Sequence, residues 1–191
     1  MRVAILATGG VESTALIEHA IERNLTFDLL HFVYSNRSGV ETLFLRSIAK
    51  YYDKELFEVS VRKDLYDERY NNGFRDMVAW LSIAMHAIPK GHYDQVWFGN
   101  HQGEMDGTSS WKMFDAWDIM MKLNGTGKIT KLKSPLMELT KNEQYSMIPP
   151  KVKKMIVGCE HLLIDDEGEP IFCNKCGKCR EWKKYNIVRD A

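Results

Sequence analysis

The run Arg2-Val3-Ala4-Ile5-Leu6-Ala7-Thr8-Gly9-Gly10-Val11-Glu12-Ser13-Thr14 decides the architecture. Its apolar stretch from Val3 to Ala7 suits a strand buried on both faces. Two glycines follow, and then a helical pattern over 13–22 carries Ala15, Leu16, Ala20 and Ile21 on one face. Paired glycines let the backbone turn tightly and approach a bound anion without Cβ clashes. Backbone N–H groups in such a turn, with the positive end of the next helix, suit phosphate. Thr8, Ser13 and Thr14 add hydroxyls around the same point. The loop lacks the Gly-Lys-Ser/Thr spacing of a Walker A motif, and it is not a dinucleotide fingerprint. The plainer reading is an ordinary tight strand–helix turn.

Outward from this unit the alternation continues. Segments 27–34, 55–61, 95–99 and 128–132 read as strands; 41–52, 74–88 and 110–122 read as helices. The second helix is built on Leu43, Phe44, Ile48 and Tyr52, and Asn71-Asn72-Gly73 marks a turn. Such alternation predicts an α/β fold: an open, mostly parallel five-stranded sheet with helices on both faces. Ligands collect beyond the carboxyl ends of such strands, here 8–13, 34–38, 60–64 and 99–106. His31, His101 and Glu104 fall near those ends, where they could move protons, although packing or solvation is the commoner fate of such residues. Trp111, Phe114 and Trp117 at helical spacing read as core, with base stacking as an alternative for Trp111. Pro149-Pro150 breaks the pattern, dividing the chain into 1–148 and a compact C-terminal region, 149–191.

All four cysteines lie in that region, as Cys159 and Cys173-x-x-Cys176-x-x-Cys179. Clustering of this kind favours metal ligation in a reducing compartment over a disulfide framework, which makes the cytoplasm the expected location. Four thiolates at this spacing suit a closed, structural zinc site; an iron–sulfur centre and unligated core cysteines are the alternatives. Lys175, Lys178, Arg180, Lys183 and Lys184 would offset its negative charge. Basic and acidic residues balance to a net charge of zero, which argues against nucleic acid or an acidic membrane as a direct partner. No apolar stretch is long enough to span a bilayer.

The loop at Thr8 resembles the Ser-Gly-Gly-x-Asp-Ser loop of the PP-loop ATP pyrophosphatases, with Thr8 for the first Ser and Glu12 for the Asp. Loop and cysteines together resemble the 7-cyano-7-deazaguanine synthase family over nearly the whole chain. Tyr34 and Arg37 match part of that family's segment after the second strand. Arg75 matches its Arg before the third helix, and Pro135-Leu136-Met137-Glu138-Leu139-Thr140-Lys141 matches its Pro-Leu…Lys element. The family's deazaguanine-holding Ser-Gly-Tyr-Pro-Asp-Cys-Arg is Asp106-Gly107-Thr108-Ser109-Ser110-Trp111-Lys112 here, so the Pro-Asp-Cys-Arg is lost.

The resemblance implies a PP-loop, adenine nucleotide alpha hydrolase-like domain over 1–148 and a zinc-binding region over 149–191. It implies an ATP-dependent carbon–nitrogen ligase that takes a small deazapurine, ATP and ammonia, with magnesium and zinc as cofactors. Nucleotide would lie on Thr8, Gly9, Gly10, Val11, Glu12, Ser13, Thr14, Tyr34 and Arg37. Lys141, Arg75 and Glu12 would serve catalysis, and Asp106, Gly107, Ser110 and Lys112 the substrate. Cys159, Cys173, Cys176 and Cys179 would hold zinc. A homodimer is an open alternative to the monomer. Two other functions compete: a PP-loop enzyme that thiolates or amidates another acceptor such as a tRNA base, and a zinc-ribbon nucleic-acid-binding protein with a decayed loop.

Overall fold

The structure is a computed structural model that describes residues 1–34, 39–61, 84, 92–103, 111–123, 130–159, 161–185 and 187. The expected helix over 74–88 lies outside the described residues except at Ala84, as do Arg37, Arg75, Glu104, Asp106, Gly107 and Ser110.

The first strand, β1 (Arg2–Leu6), is followed by α1 (Val11–Glu22), β2 (Thr26–Tyr34), α2 (Val40–Tyr51) and β3 (Leu56–Val61). Next among the described elements come β4 (Gln95–Trp97), α3 (Trp111–Leu123) and β5 (Lys131–Lys133). These strands form one five-stranded sheet in the order β3-β2-β1-β4-β5, parallel throughout. The central place of β1 explains its unbroken apolar run: it has a strand on each side and helices on each face. Because successive side chains point to opposite faces, Val3, Ile5 and Ala7 enter one core with α1 and α2. Ala4 and Leu6 enter the other, with Phe98, Met113 and Trp117. Trp117 is buried there, and its indole N–H donates to the Thr130 carbonyl.

Both early helices bury most of the expected residues, Ala15, Leu16 and Ala20 in α1 and Ile48 with half-buried Phe44 and Tyr52 in and just after α2, but each turns one of them outward. In α1 Ile17 is buried along with the expected Ala15, Leu16 and Ala20, while Ile21 is exposed. This helix is covered by the sheet and by the later helix α4 (Lys141–Met147), so its buried arc is wide and Ile21 falls outside it. In α2 the buried set is Thr42, Leu45, Ile48 and Ala49, and Leu43 faces out. The Thr42 hydroxyl faces His31 Nε2 at 3.0 Å, which turns this polar residue inward and sets the phase of the helix.

Beyond β5 the chain forms α4, α5 (Pro150–Lys153), a two-stranded antiparallel hairpin of β6 (Leu163–Ile164) and β7 (Pro170–Ile171), and α6 (Gly177–Lys184). Residues on both sides of position 148 share one core, where Val152, Ile156, Trp182 and Ile187 pack with Val3, Ile5 and Leu16. A capping box starts α4: Thr140 Oγ1 accepts from the Glu143 N–H at 3.3 Å, and Glu143 Oε2 accepts from the Thr140 N–H at 2.7 Å. Loss of such a cap costs about 1 kcal/mol. Thr140→Ala is therefore expected to lower the unfolding free energy by that amount in a urea titration, and an unchanged midpoint would show the box to be idle. No described helix is long and apolar enough to cross a membrane.

Candidate functional site

The loop between β1 and α1 is organised by its own hydroxyls. Gly9 has φ +75, a left-handed conformation that favours glycine. Ser13 Oγ accepts from the Thr8 N–H at 3.2 Å and donates to the Gly10 carbonyl at 3.3 Å. Thr14 Oγ1 donates to that same carbonyl at 2.8 Å, and the Gly10 N–H reaches Thr8 Oγ1 at 3.4 Å. The side chains of Val11 and Thr14 are fully buried beneath the loop, so what either offers a ligand is backbone. The two glycines differ in what they leave open. A Cβ on Gly9 would point at Val157 and Leu45, 3.6 and 3.7 Å away, so this glycine is set by its φ and by the core below. A Cβ on Gly10 would sit 3.4 Å from Thr8 Oγ1 and 3.6 Å from Glu12 Oε2, over the mouth of the loop.

Four charged groups meet beside that mouth. Lys141, the first residue of α4, is buried, and its ammonium lies 2.5 Å from Glu12 Oε1 and 2.9 Å from Glu181 Oε2. His101, just past β4, places Nε2 3.2 Å from Glu181 Oε1 and 3.9 Å from Glu12 Oε1. Its Nδ1 lies 2.8 Å from the Gln102 carbonyl. Both ring nitrogens thus face oxygens that only accept, an arrangement satisfied when both carry hydrogen. With His101 so protonated, two cations would balance two carboxylates, which is how buried charge is tolerated. Burial alone would raise the Glu181 carboxyl. Its hydrogen bond to His101 and the ammoniums of Lys178 and Lys141 outweigh that and hold it well below the usual carboxylate range.

His31 plays no part in this cluster. Its Nδ1 lies 2.9 Å from the Ala7 carbonyl and so donates there, and Nε2 faces the Thr42 hydroxyl. It is a packing histidine that ties β2 to the end of β1 and to α2. Tyr34 ends β2 at the same carboxyl edge as the loop, and Lys112 lies in the first turn of α3.

The cysteines converge as a second centre. One sulfur from each of Cys159, Cys173, Cys176 and Cys179 lies within 4.8 Å of all the others. Cys173 Sγ and Cys179 Sγ are 3.9 Å apart. Tetrahedral bonds of about 2.3 Å to one zinc would set sulfurs roughly 3.8 Å apart. Backbone N–H groups point at three of the sulfurs: Cys173 to Cys159, Cys176 to Cys173, and Cys179 to Cys176. Donors of this kind favour thiolates. Cys173 is drawn down to about 6 by the Lys175 N–H, against burial and with help from Cys176. Burial pushes the Cys159 thiol up to about 12. The donor set and spacing fit a zinc ion, and these four residues could hold one.

Sequence reading had named Thr8 to Thr14, Lys141 and the cysteines, and the structure brings the loop and Lys141 together and the four sulfurs together. Glu181 is absent from that reading, and Gly99 stands in it only as the start of the 99–106 strand end. A Cβ on Gly99 would lie 2.7 Å from Glu12 Cβ and 2.9 Å from Ser13 N, so the end of β4 touches the first turn of α1.

No protein-family model matches this sequence, and no curated protein matches it. Solved structures do resemble it. A 4-thiouridine synthetase in complex with RNA and bound ATP matches with a TM-score of 0.56 at 14% identity, over 97% of this chain and 50% of that one. An NMN synthetase from Francisella tularensis matches at 0.47 and 14% identity, over 83% of this chain and 65% of that one. The chain thus spans half the length of the 4-thiouridine synthetase, and what it shares with that protein is a PP-loop-like fold.

Proposed function

We propose that this chain is an ATP-dependent ligase that activates the carboxylate of a 7-deazaguanine as an adenylate and joins it to ammonia. The observation that carries this reading is the buried Lys141 ammonium set against Glu12 at the mouth of a glycine loop, at the carboxyl edge of a parallel sheet. Phosphates would lie over Gly9 and Gly10, on N–H groups at the head of α1. Glu12 Oε2, which faces the Gly10 side of the mouth, fits the hard oxygen ligand that magnesium accompanying ATP requires. Zinc on the four cysteines would supply folding energy rather than chemistry, since all four positions are filled by protein.

In the reaction a substrate carboxylate oxygen attacks the α-phosphorus, and the bond from that phosphorus to the bridging oxygen of pyrophosphate breaks. Lys141, with Arg75, neutralises the negative charge that collects on the departing pyrophosphate. Ammonia then attacks the acyl carbon, releasing AMP and a proton and leaving an amide. A second ATP activates the amide oxygen in the same way, and loss of AMP and a proton gives the nitrile. The deazaguanine is supported by the order of motifs along the chain: phosphate loop, Arg75, Asp106-Gly107, Lys141 and the cysteines. With Pro-Asp-Cys-Arg replaced, Asp106, Gly107, Ser110 and Lys112 take over the base edge. Leaving base donors unpaired would cost about 1–3 kcal/mol per group.

Incubation with ATP, magnesium, ammonia and 7-carboxy-7-deazaguanine should yield AMP together with the amide and the nitrile by mass spectrometry. Lys141→Met, compared per folded molecule, should form AMP on the order of 100-fold more slowly. An acid left unchanged by protein that binds MgATP would exclude this acceptor and leave another, such as a tRNA base. Amide without nitrile would mean that the second activation is absent.

A further inference from the structure

The four-cysteine cluster is tied to the phosphate loop at one point and to the charged group beside the loop at another. Two residues before Cys159, the Val157 N–H donates to the Gly9 carbonyl at 3.0 Å, and the Val157 side chain packs with the cysteines. Two residues after Cys179, Glu181 reaches Lys141 and His101. Both Cys179 and Glu181 belong to α6, a helix of eight residues whose N-cap is Cys176. So short a helix has little stability of its own, and its ends must be held by tertiary contacts. Here the N-terminal hold is the cysteine cluster, and Trp182 packs the later part of the helix against the main core. The Trp182 indole lies against Gly158, where an added Cβ would come within 2.9 Å of its Nε1.

We propose that Glu181 is a positioning residue for the nucleotide site, through which metal loading of the cysteine cluster sets the affinity for MgATP. The proposal rests on the assignment of nucleotide to the loop at Gly9 and Gly10, and it deepens that assignment. The cluster fixes the start of α6; α6 presents Glu181; Glu181 shares the Lys141 ammonium with Glu12. Without that share Lys141 collapses wholly onto Glu12, and neither side chain is poised for a polyphosphate and its cation. With the cluster unloaded, α6 loses its N-terminal hold and Glu181 is released in the same way. The sign separates this role from simple electrostatics. Removal of a carboxylate near a polyphosphate strengthens anion binding by Coulomb attraction alone, whereas loss of a positioning group weakens it.

The test is calorimetric titration of MgATP into zinc-loaded wild type, Glu181→Gln and Lys178→Ala, with zinc content measured by metal analysis on each sample. Wild type and Glu181→Gln are titrated again after zinc is removed by a chelator. Glu181→Gln should keep its zinc and bind MgATP on the order of 10-fold more weakly. Lys178→Ala removes an exposed partner of Glu181, 3.4 Å away, leaves the Lys141 contact in place and should bind as wild type does. Zinc removal should weaken wild type at least as much as Glu181→Gln does, and the two losses combined should fall short of their product. Zinc-loaded Glu181→Gln with wild-type or tighter affinity would overturn the proposal, as would losses that multiply. If chelated protein unfolds by circular dichroism, the zinc-loaded comparison alone decides. Wild type that binds no MgATP would instead refute the nucleotide site itself.

Discussion

Alanine at Gly99 is expected to abolish MgATP binding and to lower the thermal midpoint by roughly 5–10 °C, for an overpacking cost of about 2–3 kcal/mol. The added methyl would sit 2.7 Å from Glu12 Cβ and 2.9 Å from the Glu12 carbonyl carbon and Ser13 nitrogen. Two of those atoms are backbone, so no rotamer change relieves the clash. Either β4 leaves its register with β1, or the first turn of α1 moves off the loop. The second response removes Glu12 from Lys141 and turns the phosphate-facing N–H groups away. Gly10→Ala is the matched comparison: its methyl meets only side-chain atoms, the nearest at 3.4 Å. That variant should keep the wild-type midpoint within about 2 °C while still weakening MgATP. Scanning calorimetry and a nucleotide titration read both effects, and native affinity in Gly99→Ala would show that β4 and α1 are not rigidly apposed.

Serine at Cys179 should be at least as damaging. Cys179 is buried, and the cluster of which it is part packs on Val157, Leu162, Val40 and Phe44. With one ligand weakened the metal is lost, and metal binding free energy in such sites is largely folding free energy, on the order of 10 kcal/mol in small zinc domains. Trp182, one helical turn beyond Cys179, is part of the main core, so damage spreads inward. The expected results are about one zinc per chain in wild type and almost none in Cys179→Ser. Proteolysis within 157–185 should precede global unfolding in that variant. Iron with visible absorbance, or a folded wild type free of metal, would overturn the assignment.

The parts of this architecture that were legible in the chain are those decided by local order. An apolar run buried on both faces, two glycines and a helix can hardly be read otherwise, and β1 and α1 follow. Lys141 was found because its Pro135-Leu136 lead is a motif, and Thr140-x-x-Glu143 was there to be read as a cap. The helix faces were set from outside. Thr42 is inward because His31 waits for it, and Ile21 is outward because α4 covers another arc of α1. Glu181 carried no local signal at all. It lies two residues after a cysteine in a basic helix, and only the return of that helix to the carboxyl edge of the sheet gives the carboxylate its partners. Gly99 is of the same kind, since its need for glycine arises from a helix 87 residues earlier in the chain.

The strand order has a consequence for synthesis. The β3-β2-β1 half of the sheet is complete once residue 61 has left the ribosome, but the free edge of β1 waits for β4 at residues 95–97. The core around Val3 and Ile5 is lined early by α1 and α2 and is completed only by Trp182. A nascent chain therefore carries its most apolar strand with one unpaired edge from the completion of β3 until β4 emerges, the state in which edge-to-edge association is easiest. Slow translation downstream of β3 would lengthen that exposure, and general chaperones would find their substrate in β1.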